Sequence, residues 1–135
     1  MKKEAEFMHK DLPVYAFATE QDFDTWMSEN YHRKEGFWLR FYKKTTGIPT
    51  IQVGDAVNVA LCWGWIDGLI NAHDDKSYLV RFTPRRPKSV WSQVNVAKVE
   101  KLIQEGRMQP SGLVHIESAK LDGRWAMAYS SKKES

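Results

Sequence analysis

The feature that most constrains the fold is a pair of short, apolar-rich segments that flank a polar loop. Residues 65–71 and 77–83 are rich in β-branched and aromatic side chains, whereas residues 72–76 read Ala-His-Asp-Asp-Lys. Such side chains favour extended backbone, and a loop of this length joins antiparallel strands. The pattern therefore predicts a β-hairpin. A near-symmetric register would bring Asp67 opposite or diagonal to Arg81, within salt-bridge reach on one face of the sheet.

Apolar residues at helical spacing predict four helices in the rest of the chain. The first helix follows a capping residue at Thr19, and the second contains the apolar stripe of residues 53–61. Ser89 is the expected N-cap of a third helix that ends at Glu105. A last helix is expected over residues 110–121, because proline is common in the first turn of a helix.

These elements define the expected fold class and domain organisation. Residues 37–43 alternate in a way that predicts one further strand. We therefore predict an α+β fold in which a small antiparallel sheet of about three strands packs with four helices. Residues 1–18 are expected to form a polar N-terminal arm, residues 19–129 a single α+β domain, and residues 130–135 a disordered tail.

Composition limits the compartment and the class of partner. The 20 basic and 17 acidic side chains give a net charge of +3, which is too small to indicate polyanion binding by itself. Cys62 is the single cysteine, so no internal disulfide forms and a reducing compartment is suitable. The longest apolar run is far shorter than the roughly 20 residues that cross a bilayer as a helix. We expect a cytoplasmic protein without a membrane span, a metal or a cofactor.

Basic residues and prolines concentrate just after the predicted hairpin. Pro84 and Pro87 flank Arg85 and Arg86, and prolines cannot continue a strand ladder. The two guanidinium groups are therefore expected outside the sheet, near the N–H groups of a helix that begins at Ser89. A solvated basic loop is the alternative interpretation of the same pattern.

Polar and aromatic residues in the first turn of the third helix complete a candidate binding site. Helical projection places Ser92 and Asn95 on the inward face, and Trp91 offers a flat apolar wall for a ligand. Local capping and core packing are the alternatives for these side chains. We predict a site for a small anionic or phosphorylated ligand at Arg81, Arg85, Arg86, Ser89, Trp91, Ser92 and Asn95.

Other functions remain open at this point. An enzyme would use Asp67, the weak catalytic candidate, as an acid or base beside the arginines, although an ion pair with Arg81 is the simpler interpretation. Cys62 is expected to be a core residue, and residues 73–75 a solvated turn, not a metal site. A protein partner is a further alternative. A nucleic-acid-binding module would need one continuous basic stripe formed by Arg40, Lys43, Lys44, Arg85, Arg86, Lys98 and Lys101.

Two motifs carry a family resemblance. Residues 60–68 read Ala-Leu-Cys-Trp-Gly-Trp-Ile-Asp-Gly, and residues 81–92 read Arg-Phe-Thr-Pro-Arg-Arg-Pro-Lys-Ser-Val-Trp-Ser. With Asn95, these motifs resemble the YdeI/OmpD-associated family, often labelled bacteriocin-protection proteins, and the likeness extends over residues 36–129. The resemblance implies a short form that matches the N-terminal part of longer members. It also implies a role in bacteriocin or stress tolerance, which we expect of a non-enzymatic cytoplasmic module that binds a small anion.

Overall fold

The structure is a computed structural model that describes residues 3–129. The predicted disordered tail, residues 130–135, lies outside the described residues. Strands and helices follow one another along the described chain in this order: β1 (Phe7–His9), β2 (Leu12–Tyr15), α1 (Glu20–Asn30), β3 (Phe37–Tyr42), a 3₁₀ turn (Lys44–Thr46), α2 (Val53–Cys62), β4 (Trp65–Ala72), β5 (Ser77–Pro84), α3 (Gln93–Gln104) and α4 (Pro110–Leu121).

The predicted α+β class is confirmed, but the predicted strand count is wrong. Five strands form a mixed sheet in the order β1-β2-β3-β5-β4, and β2 pairs with β3 in parallel. The two strands that the sequence did not indicate lie inside residues 1–18, the expected polar arm. Strands of three and four residues are too short to show a clear alternation, and Pro13 argued against a strand because it lacks a backbone N–H.

The predicted hairpin is confirmed, because β4 and β5 pair antiparallel. The predicted pairing of Asp67 with Arg81 is wrong. Asp67 lies opposite Phe82, which faces the helices, whereas Arg81 lies opposite Trp38 of β3 on the other face of the sheet. Successive side chains of a strand point to opposite faces, so a difference of one residue in register separates the two groups.

The main core lies between one face of the sheet and the helices. Aromatic side chains from β3, β4 and β5 meet apolar side chains of all four helices there, and Phe37, Phe82 and Trp65 are almost completely buried. A second, smaller cluster on the opposite face contains Trp38 and Leu79. The two clusters give the sheet one face covered by helices and one face that helices leave open.

The open face of the sheet is strongly curved. His9 of β1 and Asn71 of β4 lie in the two outermost strands, yet their Nε2 and Oδ1 atoms are 2.9 Å apart. The ring of Phe7 also stacks on His73, which directly follows β4, with 4.9 Å between ring centroids. The sheet therefore curls until its edges meet across the smaller core. A groove remains at the end where β2 and β3 begin and β5 ends.

The helix ends agree with the predictions except at α3. The hydroxyl of Thr19 caps α1 by accepting a hydrogen bond from the N–H of Asp22 (3.1 Å), and α4 has the predicted bounds. The predicted N-cap at Ser89 is wrong, because Ser92 caps α3 through a hydrogen bond from the N–H of Asn95 (3.1 Å). No helix among residues 3–129 is long and apolar enough to cross a membrane.

Candidate functional site

A groove of about 1060 Å³ lies at the end of β5 and contains most of the predicted site. Its walls come from the β1–β2 turn, the segment before β3, the bulged part of β4, and residues 84–90. Trp91 and Asp67 are not among the lining residues. Six of the seven predicted ligand-binding residues line the groove, namely Arg81, Arg85, Arg86, Ser89, Ser92 and Asn95.

A tight turn shapes the wall that carries Arg86 and Ser89. The N–H of Ser89 donates to the carbonyl of Arg86 (3.1 Å), with Pro87 and Lys88 between them. Lys88 adopts a φ of 63°, a left-handed conformation that usually requires glycine at this position of a turn. Residues 89–91 follow this turn without helical structure, so α3 starts later than predicted.

The first turn of α3 has few N–H groups left for a ligand. The N–H of Gln93 donates to the carbonyl of Tyr129 (2.8 Å), and the N–H of Val96 donates to the carbonyl of Ser92 (3.0 Å). The Ser92 hydroxyl accepts from Asn95, as described above. The helix that was expected to begin at Ser89 thus begins after Ser92, and the N–H groups of Gln93 and Asn95 in its first turn already have acceptors.

Arg85 is the most buried cation of the groove. Its side chain is 7% exposed, and its Nη2 donates to the carbonyl of Val90 (2.8 Å). The guanidinium carbon lies 3.7 Å from the centroid of the Trp91 ring, and Trp91 in turn packs edge-on against Trp125. Trp91 thus supports Arg85 from behind and does not cover the groove.

Buried donors without partners are concentrated in the predicted site. Among residues 3–129, four buried side-chain nitrogen or oxygen atoms have no hydrogen-bond partner: Arg81 Nε, Arg85 Nε, Ser89 Oγ and Trp91 Nε1. Buried polar groups are normally paired, and each of these four can donate a hydrogen bond. All except Trp91 line the groove. Three buried donors without an acceptor among residues 3–129 therefore belong to residues that line the groove.

The electrostatics near Arg85 favour an acceptor that carries negative charge. Burial lowers the pKa of Arg85 to about 10, and the nearby charge of Arg124 acts in the same direction, against opposing effects of Tyr129 and Asp67. Burial and the two arginines also lower the pKa of His115. A positive charge that is buried without a close counter-ion is unfavourable, and a bound anion would relieve it.

Sequence reasoning missed two residues that build the groove. Arg124, beyond α4, donates from Nη1 to the carbonyl of Ser89 (2.7 Å) and from Nε to the Asp122 carboxylate (2.8 Å), which fixes the turn. Tyr129 lines the groove, and its N–H donates to the carbonyl of Trp91 (3.0 Å). Both residues lie far from residues 81–95 in the sequence, so local patterns did not place them at the same site.

Asp67 lies on the other face of the sheet from Arg81. Burial raises the pKa of its carboxyl group, opposed by its own backbone N–H, Lys98 and Arg85. Its partner in the sheet, Phe82, belongs to the main core, and α3 carries Lys98. A perturbed carboxyl group is therefore present, but Asp67 does not line the groove.

The structure does not collect the basic residues into one stripe. Arg40 forms ion pairs with Glu6 and Asp74, each at 3.2 Å. Lys98 and Lys101 line a separate cavity that also contains acidic side chains. Only Arg85 and Arg86 of the seven stripe candidates line the groove. This distribution does not favour the nucleic-acid alternative.

The loop at residues 73–75 has a structural explanation. The Asp74 carboxylate accepts hydrogen bonds from the N–H groups of Lys76 (2.9 Å) and Ser77 (2.8 Å), which closes the hairpin turn. Within residues 3–129, His, Cys, Asp and Glu side chains form no group of three that could hold a metal ion.

Comparison with known proteins places the chain in a family. The sequence profile of one family, Domain of unknown function (DUF8412), matches residues 15–115. The chain belongs to this family. The resemblance to the YdeI/OmpD-associated family is therefore wrong, and the bacteriocin-related role that it implied loses its basis. No curated protein and no solved structure matches the chain. The DUF8412 match includes residues 81–95, whereas Arg124 and Tyr129 follow it.

Proposed function

We propose that this DUF8412 protein binds a small anionic ligand, a carboxylate or a phosphate, in the groove at the end of β5. The observation that carries the proposal is the set of buried donors without a protein partner among residues 3–129. Arg81 Nε, Arg85 Nε and Ser89 Oγ belong to this set and to residues that line one groove. A bound anion would accept hydrogen bonds from all three.

The energetic argument concerns the free protein. A buried donor without an acceptor costs roughly 1–3 kcal/mol of folding stability. Several such donors in one groove therefore lower the free energy of unfolding of the free protein considerably. Hydrogen bonds between a guanidinium group and an ionised acceptor are about twice as strong as neutral ones. An anion in the groove would therefore satisfy the donors and compensate the buried charge of Arg85 in one step.

The exposed rim of the groove carries charges of both signs. Asp11 and Glu35 line the same groove as Lys34, Arg86 and Lys88, and all five residues are exposed. A nucleic acid that crossed the groove would bring phosphates near carboxylates as well as cations. A small anion that reaches only the buried donors would avoid the carboxylates.

Calorimetry and thermal denaturation with acetate, sulfate and inorganic phosphate test the proposal. Binding to the folded state alone should raise the melting temperature. Arg81→Met and Arg85→Met should each weaken binding about tenfold, because each removes a charged donor. Lys101→Met is the matched control, since it removes a positive charge outside the groove. Anion affinity that survives in the Arg81→Met, Arg85→Met double variant would refute the assignment.

Binding of a short oligonucleotide tests the remaining alternative, which is that the protein binds nucleic acid. If it binds more tightly than every small anion, and if its affinity falls steeply as the salt concentration rises, the nucleic-acid hypothesis replaces the proposal.

A further inference from the structure

Strand β4 departs from regular pairing directly beside Arg81. Asp67 lies opposite Phe82 and Ile70 lies opposite Val80, so Gly68 and Leu69 together face Arg81. An extra residue of this kind is a β-bulge, and bulges change the direction in which side chains point. In a regular ladder, residue 69 would share the helix-covered face with Asp67. The bulge allows Leu69 to line the groove instead.

The groove thus combines buried donors with exposed apolar side chains. Leu69 is 60% exposed and Val90 is 69% exposed, and both line the groove together with Tyr129. These three residues come from β4, from the loop after β5 and from the segment after α4. Exposed apolar side chains that converge from three segments indicate a surface for an apolar group.

Leu69 and Val90 lie next to the basic residues that carry the donors. Leu69 faces Arg81 across the bulge. The carbonyl of Val90 accepts the 2.8 Å hydrogen bond from Arg85. Arg81 and Arg85 therefore each have an exposed apolar neighbour, and a ligand whose charge they hold would place the rest of its atoms against Leu69 and Val90.

We infer that the ligand is an amphipathic anion, which is a carboxylate or phosphate monoester attached to an apolar chain or ring. This inference rests on the proposed function, because it assigns the charged group to Arg81, Arg85 and Ser89. The apolar part contacts Leu69, Val90 and Tyr129. The groove volume of about 1060 Å³ suits one small molecule of this kind, since pockets for small ligands measure roughly 300–1000 Å³.

A homologous series of probes tests the inference. Calorimetry compares acetate, hexanoate and decanoate, and inorganic phosphate with hexyl and decyl phosphate, all below their micelle concentrations. Affinity should rise about threefold for each methylene that the groove buries. Decanol, which has the chain but no charge, should bind at least about thirtyfold more weakly than decanoate, because it lacks the charged acceptor.

Paired variants locate the apolar half of the site. The double variant Leu69→Ser, Val90→Ser should greatly reduce the dependence on chain length, to which Tyr129 still contributes, and leave the affinity for acetate and inorganic phosphate within about twofold. Ile70→Ser is the matched control, because Ile70 is 68% exposed in the same strand but does not line the groove. This control should retain the full dependence on chain length.

The outcomes distinguish this inference from the proposed function. Equal affinity for acetate and decanoate overturns the inference and leaves the anion site standing. Equal affinity for decanoate and decanol overturns the anion site itself, and the inference with it. The protein could instead sediment with vesicles that contain an anionic phospholipid and show no binding of dissolved decyl phosphate. That result overturns the inference in favour of a membrane surface.

Discussion

The guanidinium group of Arg85 stacks on the ring of Trp91, with 3.7 Å between the guanidinium carbon and the ring centroid. Trp91 is only 2% exposed, so the pair is largely removed from water. Stacking on an aromatic face stabilises the buried charge by roughly 1–2 kcal/mol, which offsets part of its desolvation. It also fixes the plane of the guanidinium group. The stack therefore holds Arg85 in place although its Nε has no acceptor among residues 3–129.

Arg85→Met should retain stability while anion binding is lost. Methionine preserves much of the apolar contact with Trp91 and removes a charge whose pKa is lowered by burial. We expect the free energy of unfolding in urea to be equal to that of the wild type or up to about 1 kcal/mol higher. Arg107→Met is the contrasting variant, because Arg107 pairs with Glu20 at 2.6 Å and should lose about 0.5–1 kcal/mol. A loss above about 2 kcal/mol for Arg85→Met would show that its bond to Val90 dominates.

Alanine at Ser92 should lower the stability of the protein, whereas alanine at Ser89 should lower its affinity for anions. Ser92→Ala removes the N-cap of α3 and should lower the free energy of unfolding by about 1 kcal/mol. Ser89→Ala removes a hydroxyl that is buried without a partner among the described residues, so stability should change by less than about 0.5 kcal/mol. Anion affinity should fall about tenfold in Ser89→Ala. The assignments are wrong if Ser89→Ala is the more destabilised variant.

The sequence predicted those elements whose formation depends on interactions between residues close together in the chain. The β4–β5 hairpin and helices α1 and α4 are marked by short-range signals, such as the capping residue Thr19 and the first-turn proline Pro110. Strand β2 pairs with β3, which is distant in the sequence, and β1 joins the sheet through β2, so short-range patterns did not indicate them.

The candidate site was accessible to prediction for the same reason. All seven predicted residues lie within residues 81–95, and six of them line the groove, so the composition of one short segment was sufficient to find them. The position of Asp67 was missed because register and the bulge decide it, and neither can be read from residue types. The start of α3 was missed because Ser89 and Ser92 are equally good N-cap residues, and the turn at Lys88 decides between them.

Lys88→Gly should stabilise the protein. Lys88 has a φ of 63°, which glycine adopts without the steric cost of roughly 1–2 kcal/mol that other residues incur. After the larger backbone entropy of glycine in the unfolded chain is subtracted, a net gain of about 0.5 kcal/mol is expected in urea denaturation. Lys43→Gly is the control, because Lys43 has an ordinary φ of −72° and should lose about 0.5 kcal/mol. Equal effects of both substitutions would mean that no strain exists at Lys88.

Cys62 should be unreactive in the folded protein. The thiol is 1% exposed, and burial raises its pKa to about 11, so the reactive thiolate is scarce at neutral pH. Labelling with a disulfide reagent should therefore follow the rate of unfolding and accelerate in urea. Complete labelling of the native protein within seconds would contradict the burial of Cys62 in the core.

Asp67→Asn should stabilise the protein near pH 7 and have little effect near pH 3. Burial raises the pKa of Asp67 above its ordinary value of 3.8, so the folded protein holds this proton more tightly than the unfolded chain does. The resulting stability is fully present below the unfolded pKa and is lost as the pH rises through the folded pKa. Asparagine mimics the protonated carboxyl group, so the variant avoids this loss.

Urea denaturation across this pH range measures the difference between Asp67→Asn and the wild type. Asp75→Asn is the control, because Asp75 is exposed in the hairpin loop. Because Asp67 does not line the groove, Asp67→Asn should also leave anion affinity within about twofold. A difference in stability that stays constant with pH would contradict the raised pKa. A loss of anion affinity would bring Asp67 back as a residue of the site and revive the enzyme alternative.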